Sequence, residues 1–184
     1  MKRRIFIAIP VPPEVPPYLE KLKEDNLSVT GIKWVKFFNL HLTVFFIGNI
    51  NANDFEKILS IIKGIINSHK IIVLNFENIS LAPAKNQKMI WARFYKNISF
   101  THLVDSIYEG LNSNFPEYDF SCKDPIPHIT LARFHAVKQS EKINIERTLD
   151  LSQLEIITCE LMESVPSIEG VIYKKVAPTI CFSK

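Results

Sequence analysis

Two short segments carry the residue types that chemistry at phosphorus requires: His41-Leu42-Thr43-Val44 and His128-Ile129-Thr130-Leu131. Both lie in runs that read as β-strand, where residues i and i+2 share a face. His41 and Thr43 therefore point one way and Leu42 and Val44 the other, and the second segment repeats the arrangement. Each segment buries two aliphatic side chains and presents an imidazole beside a hydroxyl. A neutral imidazole can take a proton from water as it attacks phosphorus. A protonated imidazole can give one to a departing sugar oxygen. Histidine suits both tasks because its unperturbed pKa of about 6.5 allows either state near neutrality. Each proton transfer is typically worth about 10²–10⁴-fold in rate. The hydroxyls of Thr43 and Thr130 can donate to non-bridging phosphate oxygens, with most effect where charge builds in the transition state.

A lone His-x-Thr is more often an ordinary piece of strand. Five histidines and seven threonines in 184 residues give about 0.2 chance occurrences on composition alone. Two occurrences, both with aliphatic spacers, favour a shared site.

The elements that must position this site alternate along the chain. Residues 4–10 are apolar and β-branched and read as a strand. A proline-rich stretch then leads into a helix with Tyr18, Leu19 and Leu22 on one side. Residues 33–35 and 41–47 are strand candidates, the second ended by Gly48 and Asn49. Phe55, Ile58, Leu59, Ile62, Ile65 and Ile66 recur at helical spacing. Strands are expected over 71–80 and 89–95, and a second amphipathic helix around Phe100, Leu103, Val104, Ile107 and Leu111. Residues 155–162 and 171–176 read as paired strands. Each half thus holds one His-x-Thr strand and one long amphipathic helix. That pattern favours α+β over a doubly wound sheet, with two related lobes facing each other across a cleft.

Composition bounds the partners. The chain is 47% hydrophobic with a formal charge of +3, a modest value for a protein that grips duplex nucleic acid through charge, but compatible with a short anionic ligand in a local basic pocket. Cys122, Cys159 and Cys181 are odd in number and lack C-x-x-C spacing, which reads as inert thiols in a reducing compartment. The apolar run after Met1-Lys2-Arg3-Arg4 is cut by Pro10, too early for a secretory signal, and no run reaches the ~18 apolar residues of a membrane span. The expectation is a cytoplasmic protein, without a membrane partner, acting as a monomer. No metal-ligand spacing and no glycine-rich phosphate loop occurs, so neither a metal nor a cofactor is expected.

The motifs in their contexts, Asn39-Leu40-His41-Leu42-Thr43-Val44-Phe45-Phe46-Ile47-Gly48 and Pro127-His128-Ile129-Thr130-Leu131-Ala132-Arg133, resemble those of the two-histidine phosphoesterase superfamily. Within it they are similar to the bacterial and archaeal RNA 2′,3′-cyclic phosphodiesterases, historically called 2′-5′ RNA ligases. Arg4-Ile5-Phe6-Ile7-Ala8-Ile9-Pro10, Trp34-Val35, Ile90-Trp91 and Leu161-Met162-Glu163-Ser164 extend the resemblance over nearly the whole chain. It implies a compact bilobal α+β fold with pseudo-twofold symmetry, in which two mainly antiparallel sheets line a central cleft with helices outside. Residues 1–184 would form one two-lobed domain. It implies hydrolysis of an RNA terminal 2′,3′-cyclic phosphate to a 2′-phosphate, with His41 as proton donor and His128 as proton acceptor, and reversal of the chemistry to join tRNA fragments through a 2′-5′ bond. It also implies an arginine near the phosphate, at Arg133. A straight strand would aim Arg133 away from His128, five residues earlier, so a bulge, a strand end or a reach around the edge is required.

Other residues carry less. His69 reads as a solvent-exposed loop residue, His102 as an exposed helix residue, and His135 lacks a partner pattern. Lys33, Lys36, Lys85, Lys88 and Arg93 could line an RNA path, although scattered lysines are more often solubility residues. Phe6, Phe45, Phe46 and Trp34 could stack a base, with core packing the ordinary reading for most. Two alternatives stay open. The same site could serve another cyclic phosphate, such as ADP-ribose cyclic phosphate, or a 2′-5′ oligonucleotide. The fold could instead be a non-catalytic RNA-end binding module, against which the intact pairs of His and Thr argue.

Overall fold

The computed structural model describes residues 2–83, 88–121, 125–134, 143–168 and 170–183. Lys85, Cys122 and His135 lie outside the described residues. The first half contains β1 (Lys2–Pro10), α1 (Val15–Asp25), β2 (Ile32–Trp34), β3 (His41–Asn51), α2 (Phe55–Ser68) and β4 (Ile72–Ala82). The second contains β5 (Met89–Phe94), α3 (Ile98–Asn114), β6 (His128–Phe134), β7 (Gln153–Ile156), β8 (Thr158–Ser167), β9 (Gly170–Lys175) and β10 (Ile180–Cys181). A 3-10 turn over Phe37–Asn39 leads into β3.

The helices form where apolar residues repeat at three and four. Phe55, Ile58, Ile62 and Ile66 form the buried stripe of α2, and Phe100, Leu103, Val104, Ile107 and Leu111 that of α3. The Asn97 side chain caps α3 by accepting from Phe100 N at 3.0 Å. Pro16 and Pro17 sit in the first turn of α1, where a missing N–H costs nothing. The two long helices pack on each other and over the sheet, α2 against β10 and α3 against β3. Gly110 lets them approach: a Cβ there would lie 2.7 Å from Ile65 Cδ1. None of the described helices is long and apolar enough to cross a membrane.

The strands run in the order β10-β8-β1-β3-β6-β5-β4-β7, with β9 added beside β8 and β2 beside β6. All these pairings are antiparallel. The fold is therefore α+β, mostly antiparallel, with helices covering the sheet. The expected two sheets are joined into one hydrogen-bonded path, and the joint is narrow. Among the described residues β3 and β6 pair only through Leu42 and Ile129, both fully buried.

The order is also symmetric about that joint. β1-α1-β3 on one side answers β5-α3-β6 on the other, each a strand, a helical crossover and a motif strand pairing antiparallel with the first.

Two sequence expectations need correction. Residues 155–162 are not one strand. Ile157 separates β7, which pairs with β4, from β8, which pairs with β1, β9 and β10, so the segment is shared between the two halves of the sheet. Strand β3 does not stop at Gly48 but runs on to Asn51, because Gly48 adopts φ +87° and a register shift there lets the ladder with β1 continue.

Candidate active site

The site begins at the joint between β3 and β6. Antiparallel register means that one step forward on one strand is one step back on its partner. With Leu42 opposite Ile129, His41 falls opposite Thr130 and Thr43 opposite His128. The alternation that buries Leu42, Val44, Ile129 and Leu131 leaves the two histidines and two threonines half-buried on the other face. All four expected residues thus gather on one face of one strand pair.

Each imidazole is held in the same way. His41 Nδ1 lies 2.7 Å from the carbonyl oxygen of Asn39, and His128 Nδ1 lies 2.7 Å from that of Ile126. A carbonyl only accepts, so Nδ1 carries the hydrogen in both rings. In the neutral ring Nε2 is then the free base, and in the charged ring it is the donor. Both histidines therefore present Nε2 for proton transfer. In His41 this atom sits 3.0 Å from Thr43 Oγ1, so the hydroxyl is already in reach of whatever Nε2 meets.

The surroundings shift both imidazoles below their ordinary pKa of 6.5. Burial is the main cause for each, opposed by the Nδ1–carbonyl hydrogen bond and reinforced by the positive charge of Arg133. His128 also feels His41 and Arg93. Arg133 disfavours charge on both imidazoles and His41 disfavours it on His128, a site that an anion would relieve.

Arg133 reaches this face through a bulge. In the ladder between β5 and β6, Ala132 pairs with Ile90 and Thr130 with Trp91, which leaves Leu131 without a partner in that ladder. Leu131 and Ala132 are both buried in succession, the phase of the strand flips, and Arg133 emerges exposed on the side of His128. Its guanidinium lies 3.1 Å from Met89 Sδ. The same device recurs in β3. Thr43 pairs with Ala8 and Phe45 with Ile7, so Val44 is the extra residue. Phe46 then takes the position that Arg133 holds on the other strand. It is 63% exposed, and Phe6 touches both it and His41, at 5.8 and 5.0 Å between ring centroids. Of the four aromatics considered from sequence, Phe46 alone is exposed. Phe6 and Phe45 are core residues and Trp34 is half-buried.

Three neighbours of the histidines were not singled out in the sequence as site residues. The Asn39 side chain acts like a short piece of strand: it donates from Nδ2 to Val171 O at 2.8 Å and accepts from Tyr173 N at 3.1 Å. That fastens the Phe37–Asn39 turn, whose carbonyl holds His41, to the edge of β9. Tyr173 meets His41 edge-on at 5.0 Å. Trp91 stacks flat on His128 at 3.7 Å and 23°. Asn39 and Trp91 stood within the segments that carry the family resemblance; nothing in the sequence pointed to Tyr173.

The remaining histidines and cysteines stand apart. His102 is exposed on α3, as expected, and lies close enough to His69 for their charges to interact. His69 is half-buried, not solvent-exposed, because it ends α2 against α3, with Nε2 3.3 Å from Ser106 Oγ. Cys159 is buried with its thiol pKa pushed up by burial, and Cys181 is exposed. Among the described residues no three His, Cys, Asp or Glu side chains converge as a metal site would need.

Comparison with known proteins agrees with this architecture. Residues 9–91 match the family model described as LigT like Phosphoesterase. The chain is 26% identical over 177 residues to an RNA 2′,3′-cyclic phosphodiesterase of Methanocaldococcus jannaschii, covering 93% of this chain and 96% of the relative. It is 28% identical over 182 residues to one of Thermotoga maritima, covering 93% and 91%. Among solved structures, the TT0787 protein of Thermus thermophilus superposes with a TM-score of 0.80 at 20% identity over 97% of both chains. Apo LigT of E. coli superposes with 0.77 at 20% identity over 100% of this chain and 99% of its own.

Proposed function

We propose that this chain, a LigT-like phosphoesterase by its family match and fold, opens the terminal 2′,3′-cyclic phosphate of RNA to a 2′-phosphate. The observation that carries the reading is the matched pair of imidazoles at the β3–β6 joint, each with Nδ1 tied to a carbonyl and Nε2 left for chemistry. The relatives named RNA 2′,3′-cyclic phosphodiesterase support the choice of substrate.

In this reading water attacks phosphorus while His128 Nε2 takes its proton. The bond from phosphorus to O3′ breaks, and His41 Nε2–H protonates that oxygen. Attacking and leaving oxygens lie on opposite sides of phosphorus in an in-line displacement, which suits one base and one acid contributed from the two sides of a symmetric joint. Thr43 and Thr130 donate to the non-bridging oxygens, and Arg133 offers a planar fork to the charge that builds on them. Phe46, exposed beside Phe6, offers its ring to the terminal base. Because the site would use parts of both halves of the sheet, residues 1–184 work as one two-lobed unit. The protons come from side chains, so the reaction as written needs no metal. With the 5′-hydroxyl of a second RNA in place of water, its proton passing to His128 and the P–O3′ bond breaking as before, the same two histidines would join tRNA fragments through a 2′-5′ bond.

The test is product analysis on an RNA oligonucleotide ending in a 2′,3′-cyclic phosphate, in excess chelator. A 2′-phosphate is expected. A 3′-phosphate would reverse the assignment of the broken bond, turnover that stops in chelator would overturn the metal-free chemistry, and no turnover with intact binding would favour an RNA-end binding module.

A further inference from the structure

The two histidines are alike in their backbone anchors but not in their ring neighbours. His41 meets Tyr173 edge-on, at 88°, and Phe6 at a tilt of 43°. His128 lies flat against the indole of Trp91. The symmetry of the fold makes the difference pointed: Trp91 pairs with Thr130, whereas the mate position, paired with Thr43, is Ala8. One imidazole rests on an aromatic face and the other has a methyl group at that position.

We infer that Trp91 is a positioning residue that assigns the roles of the pair: it fixes the plane of His128 and stabilises the imidazolium that forms there, making His128 the proton acceptor. The inference rests on the acid–base reading above and deepens it. An aromatic face attracts a cation and is nearly indifferent to the neutral ring, and tryptophan is the strongest of the three aromatics in this respect. The attraction therefore grows as His128 takes the proton from water, which is the condition for an interaction to speed the chemical step. The stack and the Nδ1 bond to Ile126 O together leave the ring little freedom, so Nε2 points along one direction.

A second observation indicates that packing or hydrogen bonding alone does not account for the indole. Among the described residues Trp91 Nε1 is buried without a hydrogen-bond partner, as is Ser80 Oγ on the opposing position of β4. A buried unpaired donor costs stability, and such costs are typically tolerated where function demands the placement.

Three charged groups among the described residues work against protonation of His128: Arg133 on its own strand, His41 on β3, and Arg93 on β5. Glu77 on β4 offsets Arg93, with 3.3 Å between Oε2 and Nη2. Against this background the stack adds to the carbonyl of Ile126 in favouring the charged ring.

The test is the pH profile of kcat/KM for cyclic phosphate hydrolysis in W91L and W91F. The leucine keeps the apolar cover and removes the aromatic face. The acid limb, which reports the base of the free enzyme, is expected to move down by about 0.5–1 pH unit, with the basic limb unmoved and kcat several-fold lower. W91F keeps a flat ring, loses the orphan N–H and is expected to return the limb toward its native position. An acid limb that stays in place or moves up in W91L, or a shift of the basic limb instead, would overturn the inference. H128A separates this from failure of the underlying reading: if H128A is inactive while both Trp91 variants keep the native profile, the acid–base pair stands and the role of Trp91 does not.

Discussion

Leu42 lies directly opposite Ile129, and among the described residues this is the single ladder pair through which β3 and β6 touch. Its consequence is chemical. The flanking residues on the other face are His41 and Thr43 on one strand and His128 and Thr130 on the other, in reversed order. Two tetrapeptides of one pattern, crossing antiparallel, produce a face with an imidazole at each end. The aliphatic pair at the centre is fully buried and anchors the crossing.

The bulges make the fifth position after each histidine face the site, and they fill it differently. Arg133→Ala is expected to lower kcat/KM about 10–100-fold, the worth of a charge-assisted hydrogen bond. Arg133→Lys keeps the charge but not the fork and should recover only part of the loss. Steady-state kinetics on a 2′,3′-cyclic nucleotide checks this; equal rates for the three proteins would remove Arg133 from the site.

Asn39 acts at one remove. Asn39→Ala keeps the carbonyl that holds His41 but drops both bonds from its side chain to β9. About 1–3 kcal/mol of stability should be lost, from two hydrogen bonds at about 0.5–1.5 each. kcat should fall about 10–100-fold with KM little changed, since a misplaced general acid costs rate and not affinity. Urea unfolding and initial rates read the two effects separately. Unchanged kcat in a destabilised variant would confine Asn39 to the fold.

The two lowered imidazole pKa values set a pH dependence of stability. In the unfolded chain each histidine titrates near 6.5, and in the folded protein His41 and His128 titrate lower. Below about pH 6.5 the unfolded state binds more protons, so stability is full above that value and declines as pH falls through the folded pKa values. The variant carrying both His41→Asn and His128→Asn should show a shallower decline below about pH 6.5, measured by denaturant unfolding; His69, also lowered, keeps a remainder. An identical slope in both proteins would contradict the shifts.

The same shifts predict proton uptake on anion binding. A phosphate placed between the histidines and Arg133 favours the charged imidazoles and raises their pKa values. Titration calorimetry of inorganic phosphate near pH 6.5, in buffers of different ionisation enthalpy, should show net uptake of protons by the protein after correction for phosphate's own titration. No uptake, or release, would place the anion elsewhere.

How much of this was legible beforehand follows from period and range. The amphipathic stripes of α2 and α3 and the alternation around His41 and His128 are local signals, and they named the helices, the motif strands and the candidate pair. The parity argument at Arg133 required a bulge, a strand end or a reach around the edge, and Leu131 supplies the bulge. What pairs with what is not local. Residues 155–162 read as one strand in the sequence; only the tertiary partners divide the run at Ile157. Tyr173 reaches His41 from a hairpin far along the chain, and the stack of Trp91 on His128 depends on the register between β5 and β6. Neither has a signature in its own neighbourhood.

The account stands or falls on His41 and His128 acting as one unit. The direct measurement is kcat for a 2′,3′-cyclic phosphate substrate in His41→Ala, His128→Ala and the double variant. The expectation is a loss of at least about 10²–10⁴-fold in each single variant and little further loss in the double, as for groups that serve one transition state. Single losses that multiply in the double variant, or a single variant that keeps native activity, would contradict it.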